Sequence, residues 1–275
     1  LEKINFGNIN TSLVNNMENL FHRCSKFLSI DVSKFDTSSV TSLDSTFRHC
    51  ESLTSIDVSN FNTQNVVNMF DVFGYCYNLI TANLSNFNTL KATSLQGLFY
   101  QCKKLKYIDL RSFYTSNVVN FFAMFFLDES LIYINLKNFK MANTCNMDNI
   151  LDKTSSNLKI CINNIGTKNL LKSKYPEKIF DCSDICFKDN IKIDLKENIC
   201  VEDCNKREYK YEYDNYCIEI CPNTTYVSNN NEYLCLDKSK EDNYYFDENK
   251  KVYKECYNTC KKCNKKGNVT NNNCI

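Results

Sequence analysis

Histidine and cysteine are the residues of this chain whose types and spacing could support chemistry beyond packing. The 275 residues contain 17 cysteines and 2 histidines, and His22 and His49 each lie within two residues of a cysteine. A Cys–His nucleophile also requires a third group that orients the imidazole. The sequence shows no Gly-rich phosphate loop, HExxH motif or GxSxG motif. We therefore interpret both histidines as incidental substitutions at variable positions and expect a protein that is not an enzyme.

A metal site is the second chemistry to weigh. Cys24, Cys50, Cys76 and Cys102 recur at a constant interval. Zinc needs four ligands that converge at about 2.3 Å, whereas residues stacked one per rung of a parallel ladder lie about 4.8 Å apart. A buried thiol packs as a small hydrophobe. We expect these four cysteines to be reduced and buried, and Cys145 to be a fifth free thiol.

The CxxC pair Cys260 and Cys263 has the spacing of a zinc or redox motif. Its context favours disulfides, because Cys-x3-Cys steps precede it and four N-x-S/T sequons indicate an oxidising extracellular compartment. The sequons are at Asn10, Asn83, Asn223 and Asn268. Disulfides are the favoured interpretation, zinc and redox chemistry are the alternatives, and we predict no metal and no cofactor.

An internal repeat must position these residues. Five units of equal length begin at residues 16, 42, 68, 94 and 120. Their aligned columns include Phe21, Phe47, Phe73, Phe99 and Phe125, and Thr37, Thr63, Thr89 and Thr115. Residues 53–58 alternate as a half-buried strand does, and Asn68 to Cys76 has helical spacing. One unit cannot bury its own apolar face, but stacked units can. The sequence predicts an α/β leucine-rich-repeat solenoid, with a parallel strand ladder and short helices or turns on the other side.

The repeat also predicts the domain organisation. Half units flank the full ones, the last of them a degenerate sixth unit with one extra residue, so the solenoid spans residues 1–163. Residues 164–181 form a linker or capping helix in which Thr167 caps the helix and Pro176 ends it. Residues 182–275 form a cysteine-rich stalk. The chain opens at Leu1 without a signal peptide, so we expect it to be a fragment of a longer polypeptide.

The unit resembles the repeat of BspA-like leucine-rich-repeat surface proteins. The residues that carry the resemblance are 69–76, MFDVFGYC, followed by 83–89, NLSNFNT. The resemblance covers residues 1 to about 162 and implies a secreted or surface-attached protein that acts in adhesion or in host and matrix binding. It implies no catalytic residues. The fifth unit departs from the family pattern at Asp128, Lys140 and Met141.

The stalk resembles the one-disulfide hairpin modules of furin-like and growth-factor-receptor regions, notably at residues 217–222, CIEICP. The resemblance implies a small disulfide-rich β-hairpin domain. By this analogy the hairpin pairs are Cys186–Cys200, Cys204–Cys217 and Cys221–Cys235, which leaves Cys182 to Cys161. The last four cysteines then pair as Cys256–Cys263 and Cys260–Cys274. Glycosylation is expected at Asn10, Asn223 and Asn268.

The outward positions of the strands form the largest regular surface, and in solenoids the concave strand face is the usual binding surface. A ligand groove and an ordinary solvated sheet face are both consistent with it. The candidate ligand-binding residues are Asp31, Asp57, Asn83, Tyr107, Asp109, Arg111, Tyr133, Asn135 and Lys137. Tyr107, Tyr133, Arg111 and Lys137 are expected to carry most of the binding energy, because aromatic and Arg side chains dominate hot spots. A glycan at Asn83 would obstruct this groove.

Net charge and hydropathy limit the classes of binding partner that the sequence allows. The net charge of +1 provides no excess of positive charge for binding nucleic acid. The longest apolar stretch, Val118 to Leu127, is far shorter than the roughly 20 residues that span a bilayer, so membrane attachment is expected only through parts outside this fragment. The sequence predicts a cell-surface or extracellular module that binds a protein or glycan on another cell, host or matrix. The alternatives are the ectodomain of a transmembrane signalling receptor and an intracellular zinc protein.

Overall fold

The computed structural model describes Phe6 and residues 9–182, and beyond them only the backbone of short strands between residues 192 and 255. The chain divides into two compact units, Leu1–Ser183 and Asp184–Ile275. No helix among the described residues is long and apolar enough to cross a membrane.

Parallel three-residue strands stack the rungs of the first unit, where a rung is one copy of the sequence repeat. The strands are β1 (Ser55–Asp57), β2 (Thr81–Asn83), β3 (Tyr107–Asp109), β4 (Tyr133–Asn135), β5 (Lys159–Cys161) and the two-residue β6 (Ile179–Phe180). β1 pairs with β2, and the second sheet has the order β3-β4-β5-β6. A second ladder of parallel bridges joins Asn16, Ser42, Asn68, Ser94, Asn120 and Asn146. The predicted parallel repeat ladder is confirmed, and its sequence period is its stacking period.

The sixth unit corrects one expectation. Tyr133 pairs with Lys159, and Asn120 bridges to Asn146. Both steps equal one regular repeat, so the extra residue predicted for this unit does not shift its strand. Leu158 comes one residue later than a regular repeat of Leu131 would, and the register is regular again where β5 begins at Lys159.

The opposite side of each rung consists of turns, and we call it the turn side. It covers residues 17–24, 43–50, 69–76, 95–102, 121–128 and 147–154. No α-helix forms there, in contrast to the helix that the spacing of Asn68 to Cys76 allowed. Residues four apart adopt positive φ, as at Asp71 (48°) and Tyr75 (62°). Each such residue turns the backbone away from the helical path, so no helical ladder of bonds can form.

Backbone hydrogen bonds on the turn side alternate between bonds within one rung and bonds to the next rung. Thr46 N donates to Leu43 O within its own rung at 3.1 Å, and Phe47 N donates to Val72 O of the next rung at 2.9 Å. The alternation repeats along the stack, and the bonds between rungs run from the N–H of one rung to the C=O of the following rung. The turn side therefore pairs its backbone as a sheet does, although it is built of turns.

Two columns of phenylalanine rings fill the core. Phe73 stacks between Phe47 and Phe99, with ring centroids at 5.5 and 5.4 Å and nearly parallel planes. Phe87 and Phe113 of the second column lie 5.9 Å apart. Because each ring contacts the equivalent ring above and below, the phenylalanine columns join consecutive rungs into one continuous apolar core.

The repeated cysteines lie beside the first phenylalanine column. Cys50, Cys76 and Cys102 are free and buried, and each Sγ donates to a phenylalanine carbonyl of the preceding rung at 3.2–3.3 Å. Burial raises the pKa of the Cys50 thiol to about 12. Cys145 is also free and buried. Cys24 is only half-buried, contrary to expectation, because it belongs to the first full rung and has no complete rung before it.

Asp128 replaces cysteine in the fifth rung and is fully buried. Its Oδ1 accepts from Cys102 N at 2.7 Å, and its Oδ2 has no hydrogen-bond partner among the described residues. Burial raises the pKa of this carboxyl far above its usual range. Burial thus disfavours the charged form of this side chain.

A column of buried threonines bonds each rung to the next. The Thr63 hydroxyl donates to Asn88 O at 2.9 Å and accepts from Asn88 N at 2.7 Å. The same pair of bonds recurs at Thr11, Thr37, Thr89 and Thr115. Each hydroxyl thus satisfies both backbone groups of one residue in the following rung.

Replacing Thr63 by valine is expected to lower the free energy of unfolding by about 1–3 kcal/mol, because the isosteric side chain leaves two backbone groups unpaired. Urea denaturation followed by circular dichroism measures the loss. Thr93→Val is the matched control, since Thr93 is exposed. Equal stabilities of the two variants would show that the hydroxyl column contributes nothing beyond packing.

A cap closes the C-terminal end of the solenoid. Helix α1 spans Ile165–Lys174, and its N-cap is Asn164, whose side chain accepts from Thr167 N. The prediction that Thr167 is the cap is wrong, because this residue is buried and its hydroxyl accepts from Met141 N of the preceding rung, where Met141 interrupts the threonine column. Leu171 is fully buried, and the Tyr175 hydroxyl accepts from Leu151 N at 3.3 Å. The cap thereby covers the last turn side.

The expected disulfide between Cys161 and Cys182 is present. Cys161 ends β5, so the bond ties the chain that leaves the cap to the last full strand. The other predicted disulfides, and the sequons at Asn223 and Asn268, lie outside the described residues.

Short strands form the described part of the second unit. They are β7 (Lys192–Asp194), β8 (Ile199–Val201), β9 (Tyr211–Tyr213), β10 (Tyr216–Ile218), β11 (Thr225–Val227), β12 (Cys235–Asp237), β13 (Tyr244–Asp247) and β14 (Val252–Glu255). The antiparallel pairs are β7 with β8, β9 with β10, β11 with β12, and β13 with β14. β7 also pairs with β10 in parallel, which gives the sheet order β8-β7-β10-β9. These antiparallel pairs are β-hairpins, which agrees with the hairpin domain that the resemblance implied.

Candidate binding surfaces

The acidic and amide column of the strand face stabilises the backbone. Asp31 Oδ1 accepts from Ser33 N at 3.0 Å, and Asp57 Oδ1 accepts from Ser59 N at 2.9 Å. Asn83, Asp109 and Asn135 make the same bond to the residue two positions on. Asx turns of this kind explain why the five full rungs have Asp or Asn at this position, whereas the sixth rung has Cys161. The recurrence therefore has a structural cause that needs no ligand.

Burial of the strand face increases along the stack. Asp31, Asp57 and Lys137 are exposed, whereas Asn83, Tyr107, Asp109 and Arg111 are half-buried. Tyr133 is only 7% exposed and Asn135 is fully buried. The expectation that these last two line an open groove is wrong. Tyr133 lies under the Lys159 ammonium of the next rung, 5.4 Å from its ring centroid, and Asn135 pairs with Cys161 of that rung.

Tyr107, Asp109 and Arg111 form a polar cluster within one rung. Arg111 Nε donates to Asp109 Oδ2 at 2.7 Å, and the Tyr107 hydroxyl donates to the same oxygen at 3.3 Å. Burial, followed by the Asp109 charge, raises the pKa of Tyr107 above its usual range. The strand face thus brings these three predicted residues together and binds their polar atoms to one another.

A row of aromatic rings in contact crosses the turn side, and no single column of the repeat predicts it. We call His22, His49, Tyr75, Tyr100 and Phe126 the aromatic row. Neighbouring ring centroids lie 5.8, 4.3, 4.9 and 5.4 Å apart. Each of the five residues is partly exposed. The two histidines therefore belong to a shared surface and are not isolated substitutions.

Charge surrounds the N-terminal half of the aromatic row. Arg48 lies over the Tyr75 ring, with its guanidinium carbon 4.9 Å from the centroid. Burial lowers the pKa of His22, and the positive charges of Arg48 and Arg23 lower it further. His22 is consequently neutral near pH 7, and the cation in this part of the surface is arginine.

A cleft opens beside the aromatic row, with an empty volume of about 290 Å³ that includes its mouth. Aromatic side chains from three consecutive rungs line it, namely Phe70, Tyr75, Tyr100 and Phe122. Asp71 and Gly97 also line it. The cleft therefore combines four aromatic groups with one buried carboxylate.

Gly97 makes room for the Asp71 carboxylate. A Cβ atom at Gly97 would collide with Asp71 Oδ1, and Gly97 has φ of 62°. The equivalent residues of other rungs, such as Ser45, Ala123 and Asn149, adopt positive φ with a side chain. The glycine is thus required by the close approach of Asp71 more than by its own backbone.

The Asp71 carboxylate is 7% exposed and has one strong partner. Arg48 Nε lies 2.9 Å from its Oδ2. Burial raises the pKa of Asp71 to about 6, Arg48 opposes this shift, and Asp44 adds to it. Near pH 7 the carboxylate is ionised, while its Oδ1 lies toward Gly97 at the floor of the cleft.

No group of three or more His, Cys, Asp or Glu side chains is arranged to hold a metal ion in the part of the chain that the structure describes. The chemistry that the described surfaces offer is recognition through aromatic faces, hydrogen bonds and charge.

Comparison with known proteins gives one match. A family model described as "Mycoplasma protein of unknown function, DUF285" matches the chain twice, over residues 2–106 and 73–181. The second match ends just beyond the cap. No curated protein and no solved structure matches the chain.

Proposed function

Because the chain belongs to the DUF285 family of unknown function, we propose its function from its own surfaces. The protein is a non-enzymatic binding module of a secreted or surface-displayed protein, and it holds a protein or glycan ligand through the aromatic row. The single observation that carries this proposal is a continuous row of five partly exposed rings, each in contact with the next.

The structure explains the recurring columns without a ligand. The phenylalanines form the core, the threonines bond consecutive rungs, and Asp or Asn residues close turns at the strand ends. The aromatic row differs, since its rings lie partly in solvent on positions that vary between rungs. Tyrosine is enriched at binding hot spots because a large rigid face carries a polar tip. The proposal accordingly moves the principal contact surface from the strand face to the turn side.

The extracellular setting has chemical support. A disulfide joins Cys161 to Cys182, and disulfides persist in oxidising compartments. Asn10 of the first sequon is exposed, as a glycan acceptor must be. Both observations fit a protein that works outside the cytosol.

Replacing Tyr75 and Tyr100 together by serine is expected to weaken ligand binding by roughly tenfold or more, because the change removes two central rings of the row. Binding of the whole chain to arrayed glycans and immobilised matrix proteins measures the effect. Tyr114→Ser is the matched control, since Tyr114 is 49% exposed and lies outside the row.

Tyr107→Ser tests the strand face in the same assay. Loss of binding in Tyr107→Ser, with full binding in the Tyr75/Tyr100 variant, would assign the ligand to the strand face and contradict the turn-side proposal. Circular dichroism and the unfolding midpoint of each variant separate a loss of contact from a loss of fold.

A further inference from the structure

We propose that the cleft lined by Asp71 binds a methylated ammonium group, the head of a choline-type cation. The inference rests on the proposed function, because it assigns a ligand class to the cleft beside the aromatic row. Three features support it: the aromatic walls, the local charge, and the shortage of hydrogen-bond acceptors.

The aromatic walls of the cleft come from three consecutive rungs. Phe70 and Phe122 occupy equivalent positions two rungs apart, with Gln96 at that position between them and Gly97 next to it. Tyr100 adds a further ring, and Tyr75 borders the cleft with Arg48 over its ring. Aromatic faces attract cations, and sites that recognise quaternary ammonium use several of them.

The ionisable carboxyl that lines the cleft is Asp71, which pairs with Arg48. Arg48 contributes one positive charge, while Asp71 beside it and Asp44, which acts on Asp71 through its charge, contribute two negative charges. His22 adds no charge near pH 7, because burial and the nearby arginines lower its pKa. A cation in the cleft therefore brings the summed charge of Arg48, Asp71 and Asp44 closer to zero.

Hydrogen-bond acceptors are few in the cleft. Gln96 Oε1 accepts from Asn120 Nδ2 at 2.8 Å, and Asp71 Oδ2 is held by Arg48. Asp71 Oδ1 remains as the acceptor at the floor. A primary ammonium has three protons to satisfy, whereas a trimethylammonium has none. The cleft is accordingly better matched to the methylated cation.

The volume sets the size of the ligand. The cavity volume of about 90 Å³ lies well below the roughly 300–1,000 Å³ of sites that enclose a whole small molecule. The cleft fits the head of a cation and leaves the remainder of the ligand in solvent. The trimethylammonium can thus come from free choline or from a lipid headgroup.

Isothermal titration of the whole chain with choline tests the inference. Choline is expected to bind saturably, and roughly tenfold more tightly than 3,3-dimethylbutan-1-ol, its neutral isostere, because only the cation interacts with the rings and Asp71 through its charge. Equal affinity of the two compounds would overturn the proposal. Tighter binding of n-butylammonium than of choline would also overturn it, in favour of a primary amine.

Asp71→Asn is expected to weaken choline binding by roughly tenfold or more, whereas Asp44→Asn is the matched control with a much smaller loss. Both variants remove one formal charge, but the Asp44 oxygens are engaged by Ser45 and Asn68. Tyr100→Leu keeps apolar bulk, removes a ring and should also weaken binding. Unchanged binding in Asp71→Asn would contradict the assignment, and unfolding midpoints verify that each variant folds.

Choline affinity should fall as the pH decreases from 7 to 5. Protonation removes the Asp71 charge in this range, since burial raises the pKa of this carboxyl to about 6. The groups that face it are Arg48 and Asp44 from the preceding rung, Tyr75 from its own rung, and Tyr100 from the following one. His22 and His49 lie in the adjoining row. Asp71→Asn isolates the histidine contribution, so a pH dependence unchanged in this variant would contradict the role of Asp71.

Two further arms separate this inference from the proposed function. Phosphatidylcholine vesicles, compared with phosphatidylglycerol vesicles, identify a lipid headgroup as the source of the cation. If the Tyr75/Tyr100 variant loses arrayed ligands while the parent chain fails to bind choline, the inference is wrong and the proposed function stands. The opposite result has two parts: the parent chain binds choline in an Asp71-dependent way, and the Tyr75/Tyr100 variant still binds the arrayed ligands. That result supports the inference and contradicts the proposed function.

Discussion

Replacing Phe73 by alanine is expected to lower the free energy of unfolding of the solenoid by about 3–5 kcal/mol, the usual cost of truncating a buried phenylalanine. Phe73 is fully buried and stacks on rings in both neighbouring rungs. Truncation therefore removes two ring contacts and leaves a cavity at the centre of the stack. Urea denaturation monitored by far-ultraviolet circular dichroism measures the loss.

Phe73→Leu is the control for apolar volume. It retains most of the buried surface and removes the stacking, so its loss should be clearly smaller than that of Phe73→Ala. Tyr114→Ala, at an exposed aromatic position, should leave stability nearly unchanged. A loss below about 1 kcal/mol for Phe73→Ala would show that the column is not part of a tightly packed core.

Replacing Asp128 by cysteine is expected to raise the free energy of unfolding by about 1–3 kcal/mol at pH 7. The change removes a buried carboxyl oxygen that has no partner among the described residues. The new thiol occupies a position whose equivalents, such as Cys102, donate to a carbonyl of the preceding rung. Cys102 N keeps a partner, since Phe99 O lies 3.0 Å away. Thermal and urea unfolding measure the gain.

The gain in Asp128→Cys should depend on pH in a defined direction. Burial raises the folded-state pKa of Asp128 above the unfolded value near 3.8. The folded chain then retains a proton that the unfolded chain releases, so the parent protein loses stability as the pH rises above 3.8. The advantage of Asp128→Cys should accordingly grow as the pH rises from 4 toward the raised folded-state pKa of Asp128, by at most about 1.4 kcal/mol per pH unit. Asp128→Asn, which cannot ionise, should show the same pH trend, and a constant difference would contradict the buried carboxyl.

The sequence predicts the stack well because every rung repeats the same packing requirement. Phe73, Cys76 and Ile56 recur at fixed intervals, since each must meet its equivalent in the next rung. The stacking period and the parallel pairing follow from that requirement alone. The Cys161–Cys182 disulfide ties the last full strand to the chain beyond the cap. Its prediction rests on the analogy with hairpin modules, because the repeat gives no information about it.

The turn side shows where periodicity is ambiguous. Met69, Val72, Phe73 and Cys76 have the spacing of an amphipathic helix. Positive-φ residues four apart, such as Asp71 and Tyr75, place side chains at nearly the same intervals. Over so short a segment a period of 4 cannot be distinguished from the helical period, so the pattern alone cannot separate these turns from a helix.

The aromatic row and the cleft depend on neighbours in space that a column alignment separates. The rings of Tyr75 and Tyr100 lie 4.9 Å apart although the two residues belong to different columns of consecutive units. Asp71 and Gly97 occupy the same column in consecutive units, so the sequence does place them in neighbouring rungs. Only the structure shows that Gly97 leaves space for the Asp71 carboxylate.

The one-way hydrogen bonding of the turn side has a consequence for how this protein can change its length. Each rung offers donors to the rung after it and acceptors to the rung before it, so any rung can follow any other. Loss or duplication of a whole unit leaves the backbone bonding pattern intact. The cleft does not share this freedom, because Asp71 and Gly97 must stand in consecutive rungs. Recombination between units can therefore lengthen or shorten the scaffold freely, yet it creates or abolishes the cleft in one step.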